Sequence, residues 1–285
     1  MKSLSMKRYA IFLFALLVGV LSVQAQAEEA KAQDAPELAS KSDKSGTNPV
    51  NFTYDLRFYN EYQWLKNSDG HQNLSTLEFR APLMDGKWQF RGRTRATLFS
   101  ADLNGDGSTD VDEGGMGDTD FRFLTVPIMD APNRFALAFG FETFLNTASH
   151  DSLGSGRTSL GPQVFLGFFS PFNGFFDLIA PGYQHKFSIR EESGVSDLEQ
   201  GIIDLFCLKM SKDKQSWMMI NPQFILDYEN NNELAIIDFE FGTMMNKLLS
   251  SEAYKGHSAY IRPGIGVGED RSMDYSIEVG YKIVW

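Results

Sequence analysis

The last residues of the chain, MDYSIEVGYKIVW (Met273–Trp285), show the pattern that decides the fold. Apolar and polar side chains alternate along this stretch with a period of two, which is the side-chain period of a β-strand. One face is therefore apolar, and the opposite face is polar or small. The apolar face consists of Tyr275, Ile277, Val279, Tyr281, Ile283 and Trp285, and the other face of Asp274, Ser276, Glu278, Gly280 and Lys282.

The same alternation recurs in residues 135–145, where Phe139 and Phe141 alternate with Gly140 and Glu142. A soluble β-sandwich also alternates, so the period alone leaves two folds open. Aromatic residues near the predicted strand ends favour a membrane barrel, because they form girdles at the membrane interfaces. The expected girdle residues are Tyr62, Trp64, Trp88, Trp217, Tyr281 and Trp285.

The chain also ends on a strand, in the aromatic residue Trp285. This ending resembles the C-terminal signature of bacterial outer-membrane barrels, which the barrel assembly machinery recognises. We therefore predict an all-β fold, an antiparallel transmembrane β-barrel in the bacterial outer membrane. Its expected partners are outer-membrane lipid, the assembly machinery through Trp285, and a small-molecule solute.

Counting the alternating segments predicts about twelve strands, although ten or fourteen stay open. An even number returns the chain to the side on which it started, as bacterial barrels require. The connections fall into long loops at one end and short turns at the other, with 246–257 as a long exception among the turns. The strands are predicted at 52–65, 73–83, 87–100, 118–128, 134–145, 159–169, 175–189, 200–210, 216–228, 233–245, 258–268 and 273–285.

The N-terminal part of the chain divides into two segments before the barrel domain at 51–285. Residues 1–27 combine a basic head, a short apolar run and an A-x-A site, which predicts a cleaved signal peptide. Residues 28–50 are rich in Ala, Glu, Lys, Asp and Ser, which predicts a flexible periplasmic segment. The formal charge of −11 argues against nucleic acid as a partner. The single cysteine, Cys207, excludes an internal disulfide.

An acidic stretch in the longest predicted loop, DLNGDGSTDVDE (102–113), matches the pattern of a calcium-binding loop. Six ligand positions are filled, and Gly107 stands where the sharp turn needs a residue without a side chain. An ordinary solvated turn rich in Asp, Asn and Gly has the same composition, so both interpretations stay open. Apart from this possible Ca²⁺, no cofactor is expected. The ligand candidates are Asp102, Asn104, Asp106, Ser108, Asp110 and Glu113.

Charged residues alternate with apolar ones on the first five predicted strands, and they must face the barrel interior because charge at mid-membrane depth is costly. Two interpretations compete: the charges line a channel that selects polar or anionic solutes, or they pair with one another and fill a closed barrel. Opposite charges on adjacent strands are expected to pair. The predicted lumen-lining residues are Asp55, Arg57, Glu61, Glu78, Arg80, Arg91, Arg93, Arg95, Asp120, Arg122 and Glu142.

Three segments, GMGDTDFRF (115–123), SGRTSLGPQVFLGFF (155–169) and residues 217–247, resemble a known family. They are similar to the outer-membrane proteins of the MetA pathway of phenol degradation. The resemblance covers most of residues 115–285, and its motifs are structural. It implies a transporter-like barrel for small organic compounds, with aromatic or hydrophobic ones among the expected solutes. It transfers no catalytic residues, so the chain is expected not to be an enzyme; a closed structural or surface-interaction barrel is an alternative.

An enzymatic alternative comes from PQVFLGFF (162–169) and GYQHKFS (182–188), which resemble stretches of outer-membrane phospholipase A. That family uses calcium and needs a His and a Ser two residues apart. Here Ser188 follows His185 by three residues, and odd spacing on a strand places two side chains on opposite faces. This departure argues against lipase activity.

Overall fold

The computed structural model describes residues 52–66, 70–102, 109–130 and 132–285. A turn with left-handed residues, Pro171–Gly174, a one-turn α-helix, Met245–Leu248, and two 3-10 turns, Asp151–Leu153 and Glu252–Tyr254, lie in the connections. The described strands are β1 (Asp55–Leu65), β2 (His71–Leu83), β3 (Trp88–Ala101), β4 (Val111–Met116), β5 (Thr119–Asp130), β6 (Phe135–Leu145), β7 (Arg157–Phe169), β8 (Leu178–Glu191), β9 (Glu199–Met210), β10 (Ser216–Asp227), β11 (Asn232–Met244), β12 (His257–Val267) and β13 (Met273–Val284).

Twelve of these strands close into an antiparallel barrel, and β4 is an additional strand. Strand β1 closes the barrel by pairing with β13, from Asp55 opposite Val284 to Leu65 opposite Met273. On its other side β1 pairs with β2, which pairs with β3, and β3 pairs with β5. Closure leaves no open edge among the twelve barrel strands. The predicted fold class and the count of twelve are therefore confirmed.

The additional strand corrects the prediction that the whole segment between β3 and β5 is a loop. Strand β3 is long, and its pairing with β5 ends at Arg93 opposite Asp120. Its last residues, from Ala96 to Ala101, pair instead with β4. Unpaired backbone N–H and C=O groups are costly when they are removed from water, so the projecting half of β3 favours a partner strand.

The alternation of side chains separates an outer face from an interior, as the sequence predicts. Phe139 is 45% exposed on the outer surface, whereas the neighbouring Ala138 is 3% exposed and faces inward. Trp217 corrects the predicted girdle: it is only 4% exposed, and its Nε1 donates to Glu240 Oε1 at 2.6 Å inside the barrel. The other exposed apolar residues form the surface that a lipid bilayer would cover.

The two ends of the barrel differ in the length of their connections. At the end that holds the start of β1 and the end of β13, here called the turn end, residues 84–87 and 211–215 are tight turns. Residues 245–256 form the long connection predicted at this end. They contain the α-helix Met245–Leu248 and the 3-10 turn Glu252–Tyr254. The opposite end, the loop end, carries strand β4 and the segments 146–156 and 192–198. In the described ranges, no helix has the length and apolar character needed to cross a membrane.

Candidate functional site: the barrel interior

One side of the barrel interior, on β1 to β6, carries two neighbouring groups of ion-paired arginines and carboxylates together with Arg122, here called the arginine lattice. It begins with Arg57, whose Nε lies 2.7 Å from Asp55 Oδ1 and 3.3 Å from Glu78 Oε1. Arg80 Nε lies 2.6 Å from the same Glu78 oxygen. The full lattice consists of Asp55, Arg57, Glu78, Arg80, Arg91, Arg93, Arg95, Asp120, Arg122 and Glu142.

Strand β3 supplies three of these arginines, because positions 91, 93 and 95 share one face. Arg93 Nε lies 2.8 Å from Asp120 Oδ1, and its Nη2 lies 2.8 Å from Glu142 Oε1. Arg95 Nη2 lies 2.6 Å from Asp120 Oδ2, and Arg91 forms an ion pair with Glu142. The two carboxylates are thus shared among three guanidinium groups, which keeps the side chains in fixed positions.

The register of the strands departs from the expected pairing of opposite charges at one level of the barrel. Arg80 stands directly opposite Arg91, and Arg91 stands directly opposite Arg122. Like charges directly opposite one another are destabilising. Arg80 forms an ion pair with Glu78 instead, and Arg91 forms one with Glu142. Three neighbouring strands therefore place a row of guanidinium groups, here called the arginine row, across the interior.

Arg122 is the member of the arginine row that obtains no carboxylate. Among the described residues no ion pair joins Arg122 to an Asp or Glu, although Glu142 stands opposite it in the register. Its Nη2 lies 3.4 Å from Gln89 Oε1, and its buried Nε has no hydrogen-bond acceptor within the described ranges. Arg122 is therefore a partly buried cation whose Nε donor is unsatisfied among the described residues.

A second charged group lies across the barrel on β10 to β13, here called the Arg262 cluster (Trp217, Glu240, Tyr260, Arg262 and Glu278). Arg262 Nε donates to Glu240 Oε2 at 3.0 Å, and its Nη1 lies 3.2 Å from Glu278 Oε1. Tyr260 donates to Glu278 Oε1 at 2.7 Å. None of these residues was a sequence-predicted lumen residue. The period-two pattern of β11 and β12 contained the signal, because Glu240 and Arg262 alternate with exposed Phe241 and Ile261.

The remaining side of the interior, on β7 to β10 near the turn end, is apolar. Leu178 and Leu208 are almost fully buried there, and Met219 packs with them. We call the inward-facing apolar residues of these strands the apolar wall. It consists of Phe165, Phe169, Leu178, Ala180, Phe206, Leu208 and Met219.

Two cavities lie between these three sides, one above the other along the barrel. The turn-end cavity has a volume of about 220 Å³ and lies between the arginine row and the apolar wall. The loop-end cavity has a volume of about 240 Å³ and is lined by polar residues including Glu61, Arg93 and Arg95. Asn221 and Arg262 line both cavities, so these two side chains mark the junction between them.

The structure places all eleven sequence-predicted lumen residues in this interior, as members of the arginine lattice or, for Glu61, beside the loop-end cavity. Buried ion pairs of this kind are weak grounds for net stability, because desolvation of the charges offsets their attraction. Removing one partner is nevertheless costly, since it leaves an uncompensated charge. The lattice therefore fixes the positions of charged groups around the cavities.

The six calcium-ligand candidates are only partly described. Asn104, Asp106 and Ser108 lie outside the described residues. Asp110 N donates to Ala101 O at 3.0 Å, and Glu113 lies in β4, where it accepts a hydrogen bond from Ser152 Oγ. Asp102 is buried at the end of β3. The described residues by themselves contain no group of three or more ligands suited to a metal ion, so calcium binding stays a prediction.

The histidine and serine of the enzymatic alternative have separate partners. His185 Nδ1 lies 3.2 Å from the Tyr183 hydroxyl, and its Nε2 lies 3.5 Å from Glu199 Oε1. Ser188 Oγ accepts a hydrogen bond from the backbone N–H of Leu198 at 3.0 Å. His185 pairs with Gly201 on β9 and Ser188 with Ser159 on β7. They lie three positions apart on β8, and this odd spacing points their side chains to opposite faces.

Comparison with known proteins supports the fold. The chain is similar to an outer-membrane channel from Pseudomonas putida F1, with a TM-score of 0.62 and 10% identity over 82% of this chain and 96% of that one. The fold is that of an outer-membrane barrel. The NanC porin gives a TM-score of 0.51 and 10% identity, over 81% of this chain and 98% of the porin.

The outer-membrane phospholipase A from Escherichia coli also matches, at 9% identity over 82% of this chain and 94% of that enzyme. Its TM-score of 0.41 is too low to carry an argument about activity. No protein-family profile and no curated protein sequence matches this chain. The resemblance to the MetA-pathway proteins therefore stays a prediction.

Proposed function

We propose that this barrel is a passive channel for small molecules in the bacterial outer membrane. The observation that carries the proposal is the pair of cavities that meet at Asn221 and Arg262 inside a closed barrel. Barrels of about 8 strands are filled by side chains, and those of about 16–18 strands leave an aqueous channel. A barrel of twelve strands lies between these sizes, so the cavities support a narrow passage.

The charged residues around the cavities support the same proposal. A path lined by guanidinium and carboxylate groups lowers the cost of moving a polar solute through the low-dielectric interior of the membrane. The proposal includes export of the chain by its signal peptide. It also includes insertion into the membrane by the assembly machinery, which would recognise Trp285. Trp285 is exposed at the turn end, where its ring stacks on Tyr54 at 6.4 Å, so an assembly factor can reach it.

Conductance of the refolded protein in planar bilayers tests the channel, with solute-driven swelling of liposomes as a second measurement. Asn221→Ala shortens a side chain at the junction of the cavities, so we expect a higher single-channel conductance than in the wild type. Asn221 Oδ1 has no hydrogen-bond donor among the described residues, so this change removes no hydrogen bond to that atom.

Asn230→Ala is the matched control, because Asn230 is exposed in a loop-end turn, where it bonds to Asp227. Its conductance should equal that of the wild type. Absence of both conductance and solute flux in the wild-type protein would eliminate the channel and leave the closed structural barrel.

Calcium would act on the loop between β3 and β4 as a stiffening ion, at the weak affinity of roughly 10⁻⁴–10⁻³ M typical of extracellular sites. Millimolar calcium should raise the resistance of this loop to proteolysis, and Asp106→Ala should remove the effect. Equal proteolysis with and without calcium would discard the site.

We propose a non-enzymatic role because His185 and Ser188 face opposite sides of β8. A phospholipid-hydrolysis assay with calcium checks this point. Hydrolysis that is lost in His185→Ala would overturn the channel as the sole function.

A further inference from the structure

The turn-end cavity combines a basic lining and an apolar lining. Basic side chains line one side, whereas the other side is the apolar wall with Phe165, Phe206 and Met219. Asp204 and Glu240 are the two carboxylates on its surface. The six basic residues are Arg57, Arg80, Arg91, Arg122, Arg262 and Lys282.

The arginine row places hydrogen-bond donors that lack acceptors in this cavity, so the cavity favours an anion. Arg80, Arg91 and Arg122 stand directly opposite one another on β2, β3 and β5. The buried Nε atoms of Arg91 and Arg122 lack acceptors among the described residues, and Arg122 also lacks an ion-pair partner there. Removing a cation from water without a counter-charge is costly, so an anion that reaches these donors is stabilised.

The apolar wall gives the same cavity a surface on which a ring or short alkyl chain can pack. A Cβ atom on Gly182 would clash with the ring of Phe165, so this ring lies directly over the glycine and fills the wall. Phe206 and Met219 continue the surface, and the Met219 thioether suits contact with an aromatic ring. A sugar would leave its hydroxyl groups unpaired against this wall, which disfavours a polyhydroxylated solute.

The volume limits the ligand to one small ring. A cavity of about 150 Å³ holds one benzene molecule, and typical drug-sized pockets begin at about 300 Å³. The turn-end cavity, at about 220 Å³, fits a single ring with one anionic substituent.

We propose that the turn-end cavity binds a single-ring amphiphilic carboxylate, with the carboxylate on the arginine row at Arg122 and the ring on the apolar wall. This assignment rests on the proposed channel for its route of entry, and it names the class of solute that the channel would favour. Binding itself does not require conduction, so the two proposals can fail separately.

Calorimetric titration of the refolded protein in detergent micelles at neutral pH tests the site with benzoate as the probe. Benzamide has the same ring without the charge, and acetate has the charge without the ring. We expect benzoate to bind at least about tenfold more tightly than either, because each comparison removes one of the two contacts.

Two substitutions test the residues. Arg122→Gln removes the unpaired guanidinium and no ion pair, so we expect an intact barrel and at least about tenfold weaker benzoate binding. Asp204→Asn replaces a carboxylate, which repels the benzoate anion, by an amide of the same shape. Benzoate binding should therefore become tighter. Arg157→Gln is the matched control, because Arg157 bonds to Ser196 O at 2.6 Å at the loop end, and it should bind as the wild type does.

Circular dichroism and heat-dependent migration on gels show that each variant is folded. Absence of benzoate binding, equal binding of benzamide or acetate, or unchanged binding in folded Arg122→Gln would each overturn the site. Benzoate binding without conductance would keep this site and refute the channel, whereas conductance without benzoate binding would do the reverse.

Discussion

On β1 to β6 the inward side chains of the barrel include the ten charged residues of the arginine lattice, whereas on β7 to β10 those near the turn end are mainly apolar. The outward faces of the two regions are alike, with Leu77 on β2 and Val164 on β7 both exposed to the bilayer. Lipid constrains the outer face of every strand to be apolar, but the interior is constrained only by what fills it. Because the two walls differ, the interior has one side that attracts anions and another that attracts apolar groups.

The largest expected effect comes from breaking the arginine lattice at Glu142→Gln. This change removes one of the two carboxylates that pair with Arg91 and Arg93, so we expect a loss of about 3–5 kcal/mol in the free energy of unfolding. Urea unfolding in lipid vesicles measures it. Glu252→Gln is the control, because the Glu252 side chain is 83% exposed and pairs with Lys255 at 3.8 Å; its cost should stay below about 1 kcal/mol. Equal small losses in both variants would show that the lattice is not a coupled network.

A smaller loss is expected in the apolar wall from Leu208→Ala. Leu208 packs within the apolar cluster at the turn end, so its truncation removes buried contacts and leaves a gap. We expect roughly 2–3 kcal/mol, in the lower part of the range for such changes, because the neighbouring cavity allows the wall to relax. Leu77→Ala on the outer face provides the comparison, and a loss there as large as in Leu208→Ala would contradict a packed interior wall.

Trp217 connects the two kinds of interior, because it packs in the apolar cluster and donates its indole N–H to Glu240. Trp217→Phe keeps most of the ring and removes the donor, which should cost roughly 1–2 kcal/mol. A double-mutant cycle with Glu240→Gln measures what the carboxylate charge adds to this hydrogen bond, because the Gln amide oxygen can still accept. Additive losses in this cycle would show that the charge of Glu240 adds nothing to the bond.

The smallest effect concerns an ion pair outside the membrane, between Asp213 and Lys247 at the turn end, at 2.8 Å. The hydrogen bond from Lys247, followed by that from Ser211, lowers the pKa of Asp213 below its usual value. A lowered folded-state pKa gives stability that is present above the unfolded pKa of about 3.9 and is lost as the pH falls through the folded value. The stability difference between wild type and Asp213→Asn should therefore be constant above about pH 5 and shrink below about pH 4. A difference that grows on acidification would contradict this sign.

Several features of the interior were accessible to sequence analysis because strand side chains alternate. Once Phe90 faces lipid, Arg91 and Arg93 occupy the inner face, and the same rule applies to Glu78 and Glu142. Trp217 was wrongly predicted as a girdle residue because an aromatic residue near a strand end is typical both of a girdle and of a packed interior. The Arg262 cluster was missed because the candidate residues were chosen only from the first five predicted strands.

The sequence by itself determined the antiparallel barrel, its twelve strands and the inward face of the first five, because alternation and turn placement are local properties. The additional strand β4 and the inward position of Trp217 came only from the tertiary structure. The tertiary structure decided which charges meet. Cross-strand register brings Arg80, Arg91 and Arg122 into one row, and it directs Glu142 to Arg91 and Arg93, which leaves Arg122 without an ion-pair partner among the described residues. Register joins residues far apart in the chain, and a shift of two positions would keep every side chain on its face while changing every partner.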